Sequence, residues 1–187
     1  MKRWHVVALG LGLVALAGCG GEGTKGPVAT TPDGQAYLLP AEPSDAQDVI
    51  PLRQSAEDGA TVVVVGRVGG SENPWVAGRA AFWIVDRSLP ACSDRPDDNC
   101  PKPWDYCCDV DRLPAARLLV KVVDAAGQLV ATDARQLLRL KELETVVVQG
   151  TARLDEAGNL TVLAAGLFVR PDRKMAQRGD RTGDLTR

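Results

Sequence analysis

The sequence predicts an all-β fold, a small sheet closed on itself with one short helix, on three observations. Five runs, at residues 61–68, 80–86, 118–123, 145–153 and 160–169, are rich in Val, Leu and Ala and bounded by Gly, Asp and Asn, the pattern of short strands and turns. With only two Phe, two Tyr and four Trp in 187 residues, the core has to be built from Val, Leu, Ala and Ile, which suits thin sheet layers. One segment alone between the runs, at 134–139, combines a capping residue with leucines at helical spacing.

In chain order, residues 50–57 read as a short helical turn with Pro51 tolerated at its first position, closed by Asp58-Gly59. The Val run at 61–68 is the first strand, and Gly66 within it permits a coil or bulge. A loop at 69–74 leads to the second strand at 80–86. The third strand, 118–123, turns at 124–127 into a short returning strand at 128–131. Thr132 or Asp133 caps the helix at 134–139, whose leucines are expected to cover one end of the sheet. The fourth strand, 145–153, carries Gly150, and 155–159 is a hairpin turn into the fifth strand at 160–169.

The order strand, strand, strand, short helix, strand, strand, with Gly66 in the first strand and Gly150 in the fourth, resembles the oligonucleotide- and oligosaccharide-binding (OB) fold. That resemblance implies a five-stranded Greek-key barrel over residues 48–170, interrupted by a cysteine-rich insertion at 87–117.

Ahead of this domain, Lys2 and Arg3 precede an apolar run from Val6 to Ala17, too short for a comfortable membrane span. The run ends in Leu16-Ala17-Gly18-Cys19, which resembles the lipobox of bacterial lipoprotein signal peptides. The resemblance implies that residues 1–18 are removed and that Cys19 carries diacylglycerol on sulfur and an acyl chain such as palmitate on its amine, an anchor of several chains. It places the protein on the exported side of a cell membrane or, with Gly20 rather than Asp after the Cys, on the outer membrane of a Gram-negative host. Residues 19–47, rich in Gly, Thr and Pro, are expected to be a flexible tether, although Tyr37 to Leu39 offer an apolar patch that can dock on the domain. Residues 171–187 are expected to form a mobile charged tail.

The single His of the chain, His5, lies within the signal. An exported form without imidazole excludes Ser-His-Asp and Cys-His mechanisms, His-ligated haem and the usual His-containing zinc sites. Glu57, Glu72, Asp86 and Asp105 show no spacing that marks an acid–base pair, and Gly66, Gly69 and Gly70 lack the Lys and helix of a phosphate loop. No enzymatic activity and no cofactor are expected. The net charge of -2 offers no positive field for nucleic acid.

One chemical constellation remains. Cys92, Cys100, Cys107 and Cys108 lie in a loop stiffened by Pro90, Pro96, Pro101 and Pro103. In an exported protein the first expectation is two disulfides, with Cys107 and Cys108 each reaching back to Cys92 or Cys100, because a vicinal disulfide strains its peptide. The alternatives are a thiolate site for zinc, iron–sulfur or copper(I), and a thiol-redox exchanger. Asp94, Asp97, Asp98, Asp105, Asp109 and Asp111 flank the cysteines and read as solvated charge that basic neighbours can pair. Trp75, Trp104 and Tyr106 either pack over the loop or face outward to receive an envelope protein or glycan. The expected function is a non-enzymatic, membrane-anchored binding module of the cell envelope; the alternative is a metal-binding or thiol-redox lipoprotein using the four cysteines.

Overall fold

The computed structural model describes residues 33–171. The signal segment 1–18, Cys19, the first part of the tether and nearly all of the tail lie outside the described residues.

The strands are β1 (Gln47–Asp48), β2 (Thr61–Val68), β3 (Ala81–Val85), β4 (Arg117–Val122), β5 (Thr145–Leu154) and β6 (Leu160–Val169), and the helices α1 (Val49–Ser55), α2 (Leu113–Ala116) and α3 (Ala134–Leu138). The sheet runs β1-β2-β3-β4-β6-β5, and β5 pairs back onto β2, so five strands close into a barrel with β1 added outside in parallel to β2. All pairings within the barrel are antiparallel except β4 with β6, which is parallel. Three strands, a helix, then two strands that re-enter on opposite sides of the first and third is the Greek-key barrel of the OB fold, as the sequence order implied.

β-branched runs build the wall, and their alternation fills it. Val64, Val68, Phe82, Ile84, Leu118, Val120, Val122, Val146, Val148, Val162 and Ala164 point into one core and are 0% exposed. Closure needs curvature, and β5 supplies it with a register shift between Gln149 and Gly150. A Cβ on Gly150 would stand 2.1 Å from the Leu163 carbonyl oxygen, so only Gly allows that approach. Helix α3 covers one end of the barrel with Leu137 and Leu138 and is capped by Asp133, whose carboxylate accepts the Arg135 N–H at 2.9 Å.

Two local differences from the sequence reading have plain causes. α1 begins at Val49, two residues before Pro51; Pro is harmless there because the first four N–H groups of a helix lack intrahelical acceptors. The returning strand at 128–131 is reduced to one bridge, Val123 with Leu129, because Val130 is drawn in to accept the Ala80 N–H at 2.9 Å. The Tyr37 to Leu39 patch of the tether docks on the barrel as its apolar side chains allowed: the Leu39 N–H donates to the Leu167 carbonyl at 2.8 Å, and Tyr37 and Leu38 pack on the core.

Candidate metal centre

The cysteine insert leaves β3 and returns at β4, and a second small core fastens it to the barrel. Val85, Leu89, Ala91, Tyr106, Leu113 and Ala116 form that core, with Tyr106 0% exposed at its centre. Gly69 and Gly70, just after β2, make room for it. A Cβ on Gly69 would lie 2.7 Å from the Trp104 carbonyl oxygen and 2.9 Å from Tyr106 Cε2, while the Gly70 N–H donates to that Trp104 carbonyl at 2.8 Å. Asp94 adds a charged tie: it accepts the Ala91 N–H at 3.0 Å and pairs with Arg67 of β2.

Within this frame Tyr106 adopts a left-handed conformation, φ 58, between two short 3₁₀ turns, Pro103–Asp105 and Cys107–Asp109. A bulky residue accepts that conformation only when its surroundings hold it, and the buried ring does so here. Asp105 reinforces the bend by accepting the Cys107 N–H at 2.8 Å, an Asx turn.

The result is a knot of sulfur. Cys107 Sγ lies 3.6 Å from Cys92 Sγ and 3.7 Å from Cys100 Sγ, and Asp105 Oδ1 lies 3.8 Å from both Cys92 Sγ and Cys100 Sγ. The donor atoms of Cys92, Cys100, Asp105 and Cys107 all fall within 4.8 Å of one another. All four cysteines between residues 92 and 108 are free thiols, at separations far beyond the S–S bond of about 2.05 Å, so the two expected disulfides are not formed in this structure. Cys107 reaches both earlier cysteines at once instead of choosing one. Cys108 points to a different group, with Cys92 and Asp98. The crowding resists ionisation: the thiols of Cys92 and Cys100 beside Cys107 push its pKa well above the ordinary thiol value.

The separations carry chemical information. Four ligands at the zinc–sulfur distance of about 2.3 Å in a tetrahedron place neighbouring sulfurs about 3.8 Å apart. The cluster therefore has the dimensions of a tetrahedral thiolate site with a carboxylate at the fourth corner. Cys92 is buried, Cys100 and Asp105 are half-buried and Cys107 is exposed, so the cluster faces solvent on its Cys107 side.

Of the two placements open to Trp75, Trp104 and Tyr106, packing inward describes most of what is seen. Trp75 is 5% exposed, packs on Phe82 with ring centroids 5.9 Å apart, and donates its Nε1–H to Glu142 at 2.7 Å. Tyr106 is wholly buried, and burial pushes its phenol up to about 12. Trp104 is half-buried, its Nε1–H donating to the Glu72 carbonyl at 3.1 Å. Two of the three rings are thus core residues, because a domain with so few aromatics uses them to fill volume. The exposed large hydrophobics among the described residues, Val76, Val110 and Leu154, stand on separate segments.

Asp105 and Asp98 are the site residues that sequence reasoning left as solvated charge. The Asp-x-Cys spacing recurs at Asp98 and Cys100 and at Asp105 and Cys107, so it marks both carboxylates as lying beside a thiol, and only the hydrogen bond from the Cys107 N–H to Asp105 tells them apart. Compared with protein-family models and with curated proteins, the chain matches none.

Proposed function

We propose that this chain is a non-enzymatic, lipid-anchored protein of the cell envelope whose OB-like barrel displays a thiolate site for a soft or borderline transition-metal ion, with zinc(II) the best fit. The observation that carries the reading is the set of sulfur separations at Cys92, Cys100 and Cys107 around the Asp105 carboxylate, which has the dimensions of tetrahedral coordination. The rigid frame supports it, since a site held by a packed Tyr106 and a glycine pair needs little reorganisation on binding. Membrane attachment rests on the lipobox resemblance at Cys19, with the barrel on the exported side. No nucleic acid is a partner in this reading.

The test is metal analysis and thiol counting on protein purified without oxygen or added reductant. A stoichiometric ion that leaves when the thiols are alkylated under denaturing conditions supports the proposal. Absence of metal together with absence of free thiols would replace it with a disulfide-stapled loop of purely structural use. Anchoring is checked separately by palmitate labelling, expected to vanish on Cys19→Ser.

A further inference from the structure

The insert offers two overlapping sets of donor atoms, not one. The inner set is Cys92, Cys100, Cys107 and Asp105; the outer set is Cys92, Cys108 and Asp98, again with all donor atoms within 4.8 Å of one another. Cys92 belongs to both. The residue is 1% exposed, the most enclosed of the four, and lies where the two sets meet.

We propose that the insert binds two divalent soft-metal ions that share the Cys92 thiolate: one with its four ligands completed by Cys100, Cys107 and Asp105, the other held by Cys108 and Asp98 with one position left open. The inference rests on the reading of the loop as a metal centre and extends it from one ion to two. A thiolate sulfur keeps lone pairs after binding one ion and bridges to a second without rearranging the chain.

The adjacent pair Cys107-Cys108 then has a division of labour. Two neighbouring residues stand about 3.8 Å apart at Cα and do not readily turn both side chains onto one tetrahedral ion. Each serving a separate ion removes that conflict. The inner ion has four protein ligands, the arrangement of a structural site; the outer has three and leaves one position for solvent or an incoming ligand, the arrangement of a site that exchanges or reacts. Six anionic donors around two divalent ions leave excess negative charge. Arg95, held to Asp109 at 2.5 Å, stands near enough to Cys92 and Cys108 to offset part of it.

The experiment titrates the reduced full chain, carrying Cys19→Ser so that its thiol does not count, with cadmium(II) under anaerobic conditions, followed by cadmium–thiolate absorption and cadmium-113 NMR. Two equivalents are expected, giving two resonances split by coupling through the shared sulfur. Cys108→Ser and, independently, Asp98→Asn are expected to abolish or weaken only the second equivalent at least tenfold, leaving the first resonance in place. Binding of a single equivalent, unchanged in both variants, would overturn the two-ion inference while leaving the one-ion centre standing. Binding of none would overturn both. Because Cys108 is exposed and Asp98 is half-buried in a loop, circular dichroism of either variant is expected to match the parent.

Discussion

Replacing Asp86 by Asn tests whether one buried carboxylate locks the first helix to the barrel beside the cysteine insert. Asp86 follows β3, is 2% exposed, and accepts the Ile50 N–H at 2.7 Å and the Ser88 N–H at 2.9 Å. Ile50 is in the first turn of α1, where N–H groups need an acceptor, and Asp48 at the N-cap gives its carboxylate to Arg87 instead. Asp86 therefore caps that helix from another element. A hydrogen bond to a charged acceptor contributes about 1.5–3 kcal/mol, but the exposed Ser88 N–H can turn to water when its partner is lost. Asn keeps one acceptor oxygen and loses the charge, so Asp86→Asn is expected to cost about 1–2 kcal/mol and Asp86→Ala about 3 kcal/mol.

The same carboxylate sets an acid dependence. Burial alone would push its pKa up; the N–H groups of Ile50 and Ser88 outweigh that and hold it below the ordinary carboxylate value. A depressed folded-state pKa gives stability that is complete above the unfolded-state value, about 3.9, and is lost as pH falls through the folded-state value. Urea unfolding of the two proteins should show a lower midpoint with unchanged slope for Asp86→Asn at neutral pH, and a gap that narrows in acid. Equal midpoints at neutral pH, or a gap that stays constant into acid, would refute this account of the junction.

Gly150→Ala is expected to destabilise the barrel by about 2–3 kcal/mol, because the new Cβ meets the Leu163 carbonyl and the β5–β6 pairing has to open; a loss under about 0.5 kcal/mol in the same unfolding assay would contradict the close approach. Tyr106→Phe removes a buried hydroxyl that has no hydrogen-bond partner, so stability should hold or rise by up to about 1 kcal/mol, and a clear loss would mean that the hydroxyl is bonded. Gly69→Ala pushes on Trp104 and Tyr106 rather than on the barrel. It is expected to weaken cadmium binding by about tenfold or more with the far-ultraviolet circular dichroism unchanged, and unaltered affinity would show that the loop is not positioned through this glycine.

Much of the fold was legible along the chain because its cause is local. The Val runs of β2 and β5, the Asp133 cap of α3 and the Asp155 to Asn159 turn each announce themselves within a few residues, and their order implied the barrel. The β4–β6 parallel pairing and the closure of β5 onto β2 join segments far apart in sequence, and the order supplied them through the OB resemblance alone. The cysteine loop was legible as a constellation but not as a geometry. Spacing leaves the pairing of four thiols open, whereas the packed Tyr106 and its left-handed backbone decide which sulfurs face one another.

What the sequence determined by itself is composition: a core drawn mainly from Val, Leu, Ala and Ile, a single imidazole at His5, and four cysteines gathered between residues 92 and 108. Tertiary structure alone decided that Trp75 and Tyr106 are interior, that Asp105 stands among the thiols, and that Cys92 belongs to two donor sets. The physical reason is that burial and ligand convergence depend on distances between elements, and those are fixed by barrel closure and by the small core under the insert, not by any neighbour in the chain.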